Sequence, residues 1–201
     1  MKKLLLTGFE PFLDHSSNPT DYIVKQLDGK VVGNYQITGH VLPVEFDRSA
    51  EKLLNHVHEL EPDAVISLGL AAGRNKITPE RVAINVNDGV RDNSGNKPID
   101  VPIIEAGNDA YFSTLPIRRM VDHLLEKGIP AEISNTAGTY LCNNVMYSML
   151  HDTRQRGTNI PSGFIHVPAS FQLAVQNPKL PGWPLDTIQK AIELVIKVLD
   201  E

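Results

Sequence analysis

The sequence predicts an α/β protein: a three-layer α/β/α sandwich whose mostly parallel, twisted sheet has helices on both faces. Short apolar runs alternate with amphipathic stretches of about ten to fifteen residues along most of the chain. Residues 63–70 (DAVISLGL) are apolar without alternation, which is typical of a strand buried on both faces of a parallel sheet. Helices between parallel strands make right-handed crossovers, which place them on the sheet faces.

Composition limits the size and chemistry of the protein. No repeat, low-complexity run or linker interrupts the 201 residues, so we expect a single domain over residues 1–201. The net charge of -5 argues against nucleic acid or an anionic membrane as a partner, and no apolar run approaches the ~18 residues of a membrane helix. The apolar run at residues 4–6 is too short for a signal peptide, and the single cysteine is usual for a cytoplasmic protein. We therefore expect a cytoplasmic protein that acts on small or neutral molecules.

The amino-terminal part contains two predicted strand–helix units. Residues 3–8 (KLLLTG) form the first strand, and Asn18 caps a helix that has Pro19 at its first position. Residues 37–44 form the second strand, and Asp47 is the expected cap of the second helix. The apolar positions of that helix recur at spacings of three and four, as Ala50, Leu53, Leu54, Val57 and Leu60.

The middle of the chain follows the buried strand with less regular segments. Residues 80–86 (ERVAINV) alternate and predict a further strand, whereas residues 87–107 contain the turn signal DNSG and indicate a polar hairpin or an excursion from the main sheet. Residues 130–135 (PAEISN) predict another strand. It follows a helix whose apolar face comprises Ile117, Met120, Val121, Leu124 and Leu125.

The carboxyl-terminal part completes the alternation. Cys142 begins a predicted helix over residues 141–154, and residues 163–168 (GFIHVP) form a strand. Asp186 and Gln189 have the spacing of a capping box for the last helix. The core-facing stripe of that helix comprises Ile188, Ala191, Ile192, Val195 and Leu199.

Cys142 lies in an unusual context, the polar run SNTAGTYLCNN of residues 134–144. At a helix start, unpaired N–H groups and the helix dipole favour the thiolate, and the same groups can receive a developing oxyanion. Gly138 allows a tight turn before the helix. Because function collects beyond the carboxyl ends of parallel strands, the position after residues 130–135 suits a nucleophile. The alternative is a small apolar residue packed beneath the helix.

A cysteine nucleophile needs a base and a group that orients the base. His166 interrupts an apolar strand and is either that base or a core histidine with satisfied hydrogen bonds. Glu80 directly precedes a predicted strand and is one of several candidates for the orienting group. No HExxH motif and no cysteine pair is present, so we expect no metal.

A different function remains open at the segment GLAAGR, residues 69–74. With Arg74 and Lys76 it suggests a phosphate-recognising protein on the same architecture, although it lacks the Lys-Ser/Thr of a P-loop. Basic groups that converge on this segment would favour that function.

Five segments resemble the pyroglutamyl peptidase I family of cysteine peptidases and occur in the family's order: TGFEPF, GRNKITPERVAINVND, YFSTLPIRRM, SNTAGTYLCNNVMY and SGFIHVP. The resemblance implies an α/β/α fold and hydrolysis of the bond after an amino-terminal pyroglutamyl residue. It implies a catalytic triad of Glu80, Cys142 and His166, and we expect an acyl-enzyme intermediate. The family is typically cytoplasmic and homotetrameric and uses no cofactor or metal, and its substrates are peptides with amino-terminal pyroglutamate.

The resemblance also implies how the lactam ring is held. Phe9 and Phe12 would flank the ring, with core packing as their alternative role, and backbone groups at Leu70 would bond the ring amide. Many relatives have glutamine where Leu70 stands and two glycines where this chain has Leu13 and Asp14. The segment around Arg91 is one residue shorter than in the family pattern, so Arg91 either replaces the arginine of that pattern or does not reach the site.

Overall fold

A computed structural model of the chain describes residues 1–12 and 15–200, so Leu13 and Asp14, which depart from the family pattern, lie outside the described residues. One sheet is built from six strands: β1 (Lys2–Phe9), β2 (Val31–Val32), β3 (Tyr35–Leu42), β4 (Ala64–Leu70), β5 (Thr78–Pro79) and β8 (Ser162–Val167). Their order is β2-β3-β1-β4-β8-β5. The four central strands are parallel, and the short edge strands β2 and β5 are antiparallel to their neighbours.

Four shorter strands form two separate pairs. β6 (Val82–Ile84) and β7 (Ala110–Phe112) form an antiparallel ribbon, and β9 (Ala169–Ser170) pairs with β10 (Gly182–Trp183). The predicted strand over residues 80–86 is therefore shorter than expected and lies outside the main sheet.

The described residues form six α-helices: α1 (Pro19–Leu27), α2 (Ser49–Leu60), α3 (Ile117–Glu126), α4 (Leu141–Arg156), α5 (Phe171–Gln176) and α6 (Leu185–Lys197). One hydrophobic cluster packs α1, α3 and α6 on one face, and a second cluster packs α2 and α4 on the other. The predicted sandwich is confirmed. In the described part of the chain, no helix has both the length and the apolar character needed to cross a bilayer.

Alternation along the strands decides which side chains reach each layer. In β8, Ile165 belongs to the cluster of α1, α3 and α6, and Phe164 belongs to the cluster of α2 and α4. His166, two residues after Phe164, points to the same side, and the two rings lie 5.0 Å apart. The imidazole is therefore on the α4 side of the sheet.

The predicted strand over residues 130–135 is wrong. This segment makes two isolated parallel bridges, from Ala131 to Ile77 and from Ser134 to Glu80. Its partner β5 is only two residues long and antiparallel to β8, so an extended ladder cannot form. Cys142 nevertheless lies at the expected edge, because α4 begins beside Gly69 at the carboxyl end of β4 and leads to the start of β8.

Two predicted helix caps are also wrong. The cap of α2 is Arg48 rather than Asp47, and the Ser49 hydroxyl donates to nearby backbone carbonyls, including that of Pro43 at 2.6 Å. The last helix begins two residues earlier than a capping box of Asp186 and Gln189 requires, with Pro184 as its cap. Asp186 therefore lies within the first turn, where its charge favours the helix dipole but its side chain does not cap.

The predicted core position of Leu125 is wrong. Leu125 is 52 % exposed, because it lies at the margin of the apolar face of α3, whereas Leu124 faces the core.

Residues 87–107 form an excursion from the main sheet rather than a regular hairpin. Within this fully described range, a single bridge joins Asn87 to Val101. The Asp92 carboxylate holds the excursion by accepting the N–H of Phe46 at 2.8 Å and further N–H groups of its own turn.

Candidate active site

His166 and Glu80 form a buried pair beside the main sheet. His166 Nδ1 lies 2.7 Å from Glu80 Oε1, and the two residues are 6 % and 0 % exposed. The register of β5 against β8 creates the pair: Thr78 lies opposite His166, and the Glu80 N–H donates to the carbonyl of Phe164 at 2.9 Å. The structure thus brings together two of the predicted site residues.

The protonation of this pair follows from its surroundings. Burial raises the pKa of the Glu80 carboxyl, but the interaction with His166, followed by smaller contributions from Ser134 and Arg74, outweighs it, so the pKa lies below its ordinary value. The carboxylate is then ionised at neutral pH and can only accept hydrogen bonds. His166 Nδ1 is therefore the donor to Glu80, and in the neutral imidazole Nε2 is the atom with a free lone pair.

Arg74 is a third member of this cluster that the sequence analysis considered only for phosphate binding. Its Nη1 donates to Glu80 Oε1 at 2.7 Å and to Thr78 Oγ1 at 2.7 Å, and its Nη2 donates to the carbonyl of Thr136 at 3.3 Å. Spacing in the sequence gives no sign of these contacts. Lys76 pairs with Glu132 at 2.6 Å. Because both cations are bound to carboxylates, the phosphate-binding alternative is disfavoured.

Cys142 lies in the first turn of α4, on the same side of the sheet as His166. The cap residue Tyr140 makes no side-chain capping bond, so the first N–H groups of the helix are not blocked by a cap. The Sγ atom faces Gly69 of β4, and Gly69 pairs with His166 in the register of β4 and β8. Within residues 1–12 and 15–200, no hydrogen bond joins the thiol to His166. The two residues are near each other because both are neighbours of Gly69.

Gly69 leaves the space that the thiol occupies. A Cβ atom at this position would lie 2.6 Å from the Phe164 ring and 2.9 Å from Cys142 Sγ, both too close for ordinary packing. The nucleophile candidate therefore depends on a glycine in the neighbouring strand.

We expect Gly69→Ala to lower kcat/KM by about 100-fold for a pyroglutamyl amide, the substrate that the family resemblance implies, because a displacement of about 1 Å at a reacting group has an effect of that size. Gly73→Ala is the matched control, since a Cβ atom there meets no atom within 4 Å and the backbone needs no positive φ. The measurement is steady-state kinetics of both variants. Equal activity of the two variants would contradict the close packing of the thiol on Gly69.

The protonation of the thiol differs from the prediction. Burial raises the pKa of Cys142 to about 12, and the negative charge of Glu80 adds to this, against the opposing effects of Arg74 and the backbone N–H of Cys142. The backbone N–H of Cys142 at the helix start favours the thiolate, but burial has the larger effect on the pKa of this group and raises it. The raised pKa favours the protonated thiol, which needs a base to react.

A small apolar cavity opens beside the thiol. Cys142, Phe9, Phe12 and Leu70 all line it, so the structure gathers the three residues expected to bind the ring around the expected nucleophile. The remaining lining residues are Asn18, Val44, Tyr140 and Leu141.

The cavity wall is held by residues that the sequence analysis missed. Glu10 accepts hydrogen bonds from the Val44 N–H at 3.1 Å and from Asn93 Nδ2 at 2.8 Å, which fixes the Phe9–Phe12 segment against two loops. The Tyr140 ring lies 6.3 Å from that of Phe12. An aromatic residue in the otherwise polar run before Cys142 is a signal that points to this wall.

Arg91 is exposed, and its guanidinium donates to the carbonyl of Gly95 at 2.8 Å within its own loop. Its backbone carbonyl accepts from the Tyr140 hydroxyl at 3.3 Å, so it contacts the wall through its backbone. In the described part of the chain, no group of three or more His, Cys, Asp or Glu side chains is placed to hold a metal ion.

Comparison with known proteins shows to which family the chain belongs. The sequence profile of the family described as pyroglutamyl peptidase matches residues 2–201. The chain belongs to the pyroglutamyl peptidase family. The predicted family and the predicted enzyme class are confirmed by this match and by the relatives.

The relatives of this pyroglutamyl peptidase family member match over nearly their whole length. The pyrrolidone-carboxylate peptidase of Oceanobacillus iheyensis is 54% identical over 200 residues, with 100% of both chains covered. That of Lysinibacillus sphaericus is 56% identical, with 98% of this chain and 96% of the relative covered. The solved structure of the pyrrolidone carboxyl peptidase from Thermococcus litoralis has a TM-score of 0.96 at 45% identity and covers 99% of this chain and 93% of its own.

Proposed function

We propose that the chain hydrolyses the amide bond after an amino-terminal pyroglutamyl residue by nucleophilic catalysis, with Cys142 as nucleophile, His166 as base and Glu80 as orienting group. One observation carries the proposal: a buried His166–Glu80 pair shares a sheet face with the only cysteine of the sequence, which itself lines an apolar cavity. The names of the relatives support the substrate class.

The first step is proton transfer coupled to attack. His166 Nε2 takes the proton from the Cys142 thiol while Sγ attacks the carbonyl carbon of the scissile amide. A base is needed because the raised pKa of Cys142 favours the protonated thiol. Glu80 accepts the Nδ1–H bond at 2.7 Å and stabilises the imidazolium that forms.

The tetrahedral intermediate places a negative charge on the former carbonyl oxygen. The N–H groups in the first turn of α4, which has no side-chain cap, are the donors that we assign to this oxygen. The carbon–nitrogen bond then breaks, and the leaving amine takes the proton from His166 Nε2. The product of this half-reaction is a thioester between the pyroglutamyl group and Cys142.

The second half-reaction reverses these roles. Water attacks the thioester carbonyl and gives a proton to His166 Nε2, the carbon–sulfur bond breaks, and the proton returns to Cys142 Sγ. Free pyroglutamate leaves, and the resting protonation states are restored.

The lining of the cavity has the apolar character that the faces of a small neutral ring require. Phe9 and Phe12 offer apolar surface to the ring faces, and we assign the ring N–H and C=O to backbone groups at Leu70. A site that bonds both ring groups rejects analogues that lack one of them, because its own polar groups are then left unpaired.

We expect kcat/KM for a pyroglutamyl amide to exceed that for the matching prolyl amide by about 10⁴-fold, since proline has the ring but lacks its carbonyl oxygen. A glutaminyl amide serves as the open-chain control and is also expected to react poorly. The measurement uses the same fluorogenic amine in all three substrates. Comparable rates with the prolyl amide would refute lactam recognition.

Several sequence predictions stay predictions. These are the single domain over residues 1–201, the homotetramer and the cytoplasmic location.

The phosphate-recognising alternative would require turnover or thermal stability that responds to phosphate. We expect neither response, because Arg74 and Lys76 are paired with carboxylates.

A further inference from the structure

We propose that Arg74 is a positioning residue for the reaction: its guanidinium fixes the Glu80 carboxylate and the turn before Cys142 in one arrangement, so that Glu80 can orient His166. The inference rests on the proposed function, because it gives Glu80 and His166 the roles assigned above. Arg74 would not touch the substrate and acts through Glu80.

The first observation is the way in which the Glu80 carboxylate is held. Its Oε1 accepts from both His166 Nδ1 and Arg74 Nη1, each at 2.7 Å. Its Oε2 is buried and has no hydrogen-bond partner among the described residues. Without Arg74, Oε1 would keep only the bond from His166 Nδ1 of these two, and the rotation of the carboxylate would be less restrained.

The second observation is that the guanidinium joins separate segments of the site. Besides Glu80, it bonds Thr78 Oγ1 in β5 and the carbonyl of Thr136 in the turn before Cys142. The Thr78 hydroxyl in turn donates to the backbone carbonyl of His166 at 3.4 Å. The planar fork of arginine can hold several acceptors at once, whereas the ammonium of lysine is a point charge that cannot reproduce this arrangement.

The third observation is the charge balance. Glu80 is fully buried, and Arg74, with one third of its side chain exposed, is the cation bound to it. A buried carboxylate without a paired cation is costly and takes up a proton more readily. Arg74 also opposes the rise in the pKa of the Cys142 thiol. Its charge therefore supports the ionised form of Glu80 while His166 is neutral.

Kinetics of Arg74→Met test the inference, with Lys76→Met as matched control. Lys76 lies in the same loop and also bridges to the segment before Cys142, through Glu132, but it does not touch Glu80. We expect Arg74→Met to lower kcat by about 10- to 100-fold, the effect of one charge-assisted hydrogen bond, with KM changed by less than about 2-fold. We expect Lys76→Met to behave as the unmodified chain.

Two further readouts separate positioning from a general structural role. The acid limb of the kcat/KM profile should move to higher pH in Arg74→Met, because Glu80 then loses a cation that lowers its pKa. Compared with Arg74→Met, Arg74→Lys should restore part of kcat, and its acid limb should lie closer to that of the unmodified chain. If Arg74→Met fails to fold, Arg74→Lys still tests the inference, since unchanged kcat and an unchanged acid limb in that variant would overturn it.

A double-variant cycle with Glu80→Gln completes the test. If Arg74 acts through Glu80, kcat of the double variant should lie within about 3-fold of kcat of Glu80→Gln alone. Full additivity, or equal losses in Arg74→Met and Lys76→Met, would overturn the inference and leave the proposed function intact. Wild-type activity in Glu80→Gln would overturn both.

Discussion

Cys142→Ala should abolish turnover of a fluorogenic pyroglutamyl amide, with a loss of at least about 10⁴-fold, because no other thiol is present to form the thioester. The substitution removes only Sγ, so the fold should be retained and the free energy of unfolding should change by about 1 kcal/mol. Fluorescence kinetics and thermal unfolding measure the two effects.

Ser148→Ala is the matched control for this variant. Ser148 lies in the same helix, α4, and its replacement by alanine also removes a single heavy atom, but Ser148 does not line the cavity beside Cys142. We expect its kcat to stay within about 3-fold of the unmodified chain. Turnover by Cys142→Ala at a comparable rate would rule out Cys142 as the nucleophile.

Glu80→Gln has the second largest expected effect, a loss in kcat of about 10³- to 10⁴-fold. The amide keeps the size of the carboxylate but loses its charge, and its NH₂ group can donate to His166 Nδ1. The imidazole can then carry its proton on Nε2, which is the wrong tautomer for accepting the thiol proton. Steady-state kinetics on the pyroglutamyl amide measure the loss.

Glu132→Gln provides the control for the loss of a carboxylate. Glu132 is exposed and pairs with Lys76 near the site, without contact to His166. Its replacement should leave kcat unchanged within about 3-fold, because exposed ion pairs contribute little. A loss of less than 10-fold in Glu80→Gln would contradict the tautomer role, since an orienting group of this kind has an effect of about 10⁴-fold.

The stability of the chain should reflect the same carboxylate. The pKa of Glu80 is lowered from its ordinary 4.5, so the folded state binds fewer protons than the unfolded state between the two pKa values. The resulting stabilisation is fully present above pH 4.5 and is lost as the pH falls through the lowered value. The glutamine variant, which is also expected to be less active, should lack this part of the acid dependence.

The sequence was sufficient where local patterns and buried surface agree. The uninterrupted apolar run became β4, and the Asn18–Pro19 pair became the cap and first residue of α1, with Asn18 accepting the Thr20 N–H at 3.0 Å. It failed where a partner from elsewhere decides the structure. Residues 130–135 have strand character, but their neighbour β5 is too short to pair with them fully.

The same distinction applies to the candidate site. Motifs indicated Glu80, Cys142 and His166 because each interrupts or borders a recognisable element. The bond from Arg74 to Glu80 and the packing of the Cys142 thiol on Gly69 depend on the register of β5 and β4 against β8, which spacing does not reveal. The raised pKa of Cys142 arises from burial, which is a property of the folded chain.

Trapping of the thioester tests the proposed chemistry most directly. An activated pyroglutamyl ester acylates faster than the amide, so the thioester should accumulate before water removes it. After rapid acid quenching, mass spectrometry of the digested protein should show one pyroglutamyl group on the peptide that contains Cys142, and none on Cys142→Ala. A pyroglutamyl group on another residue, or turnover of the ester without any adduct in the unmodified chain, would contradict catalysis through Cys142.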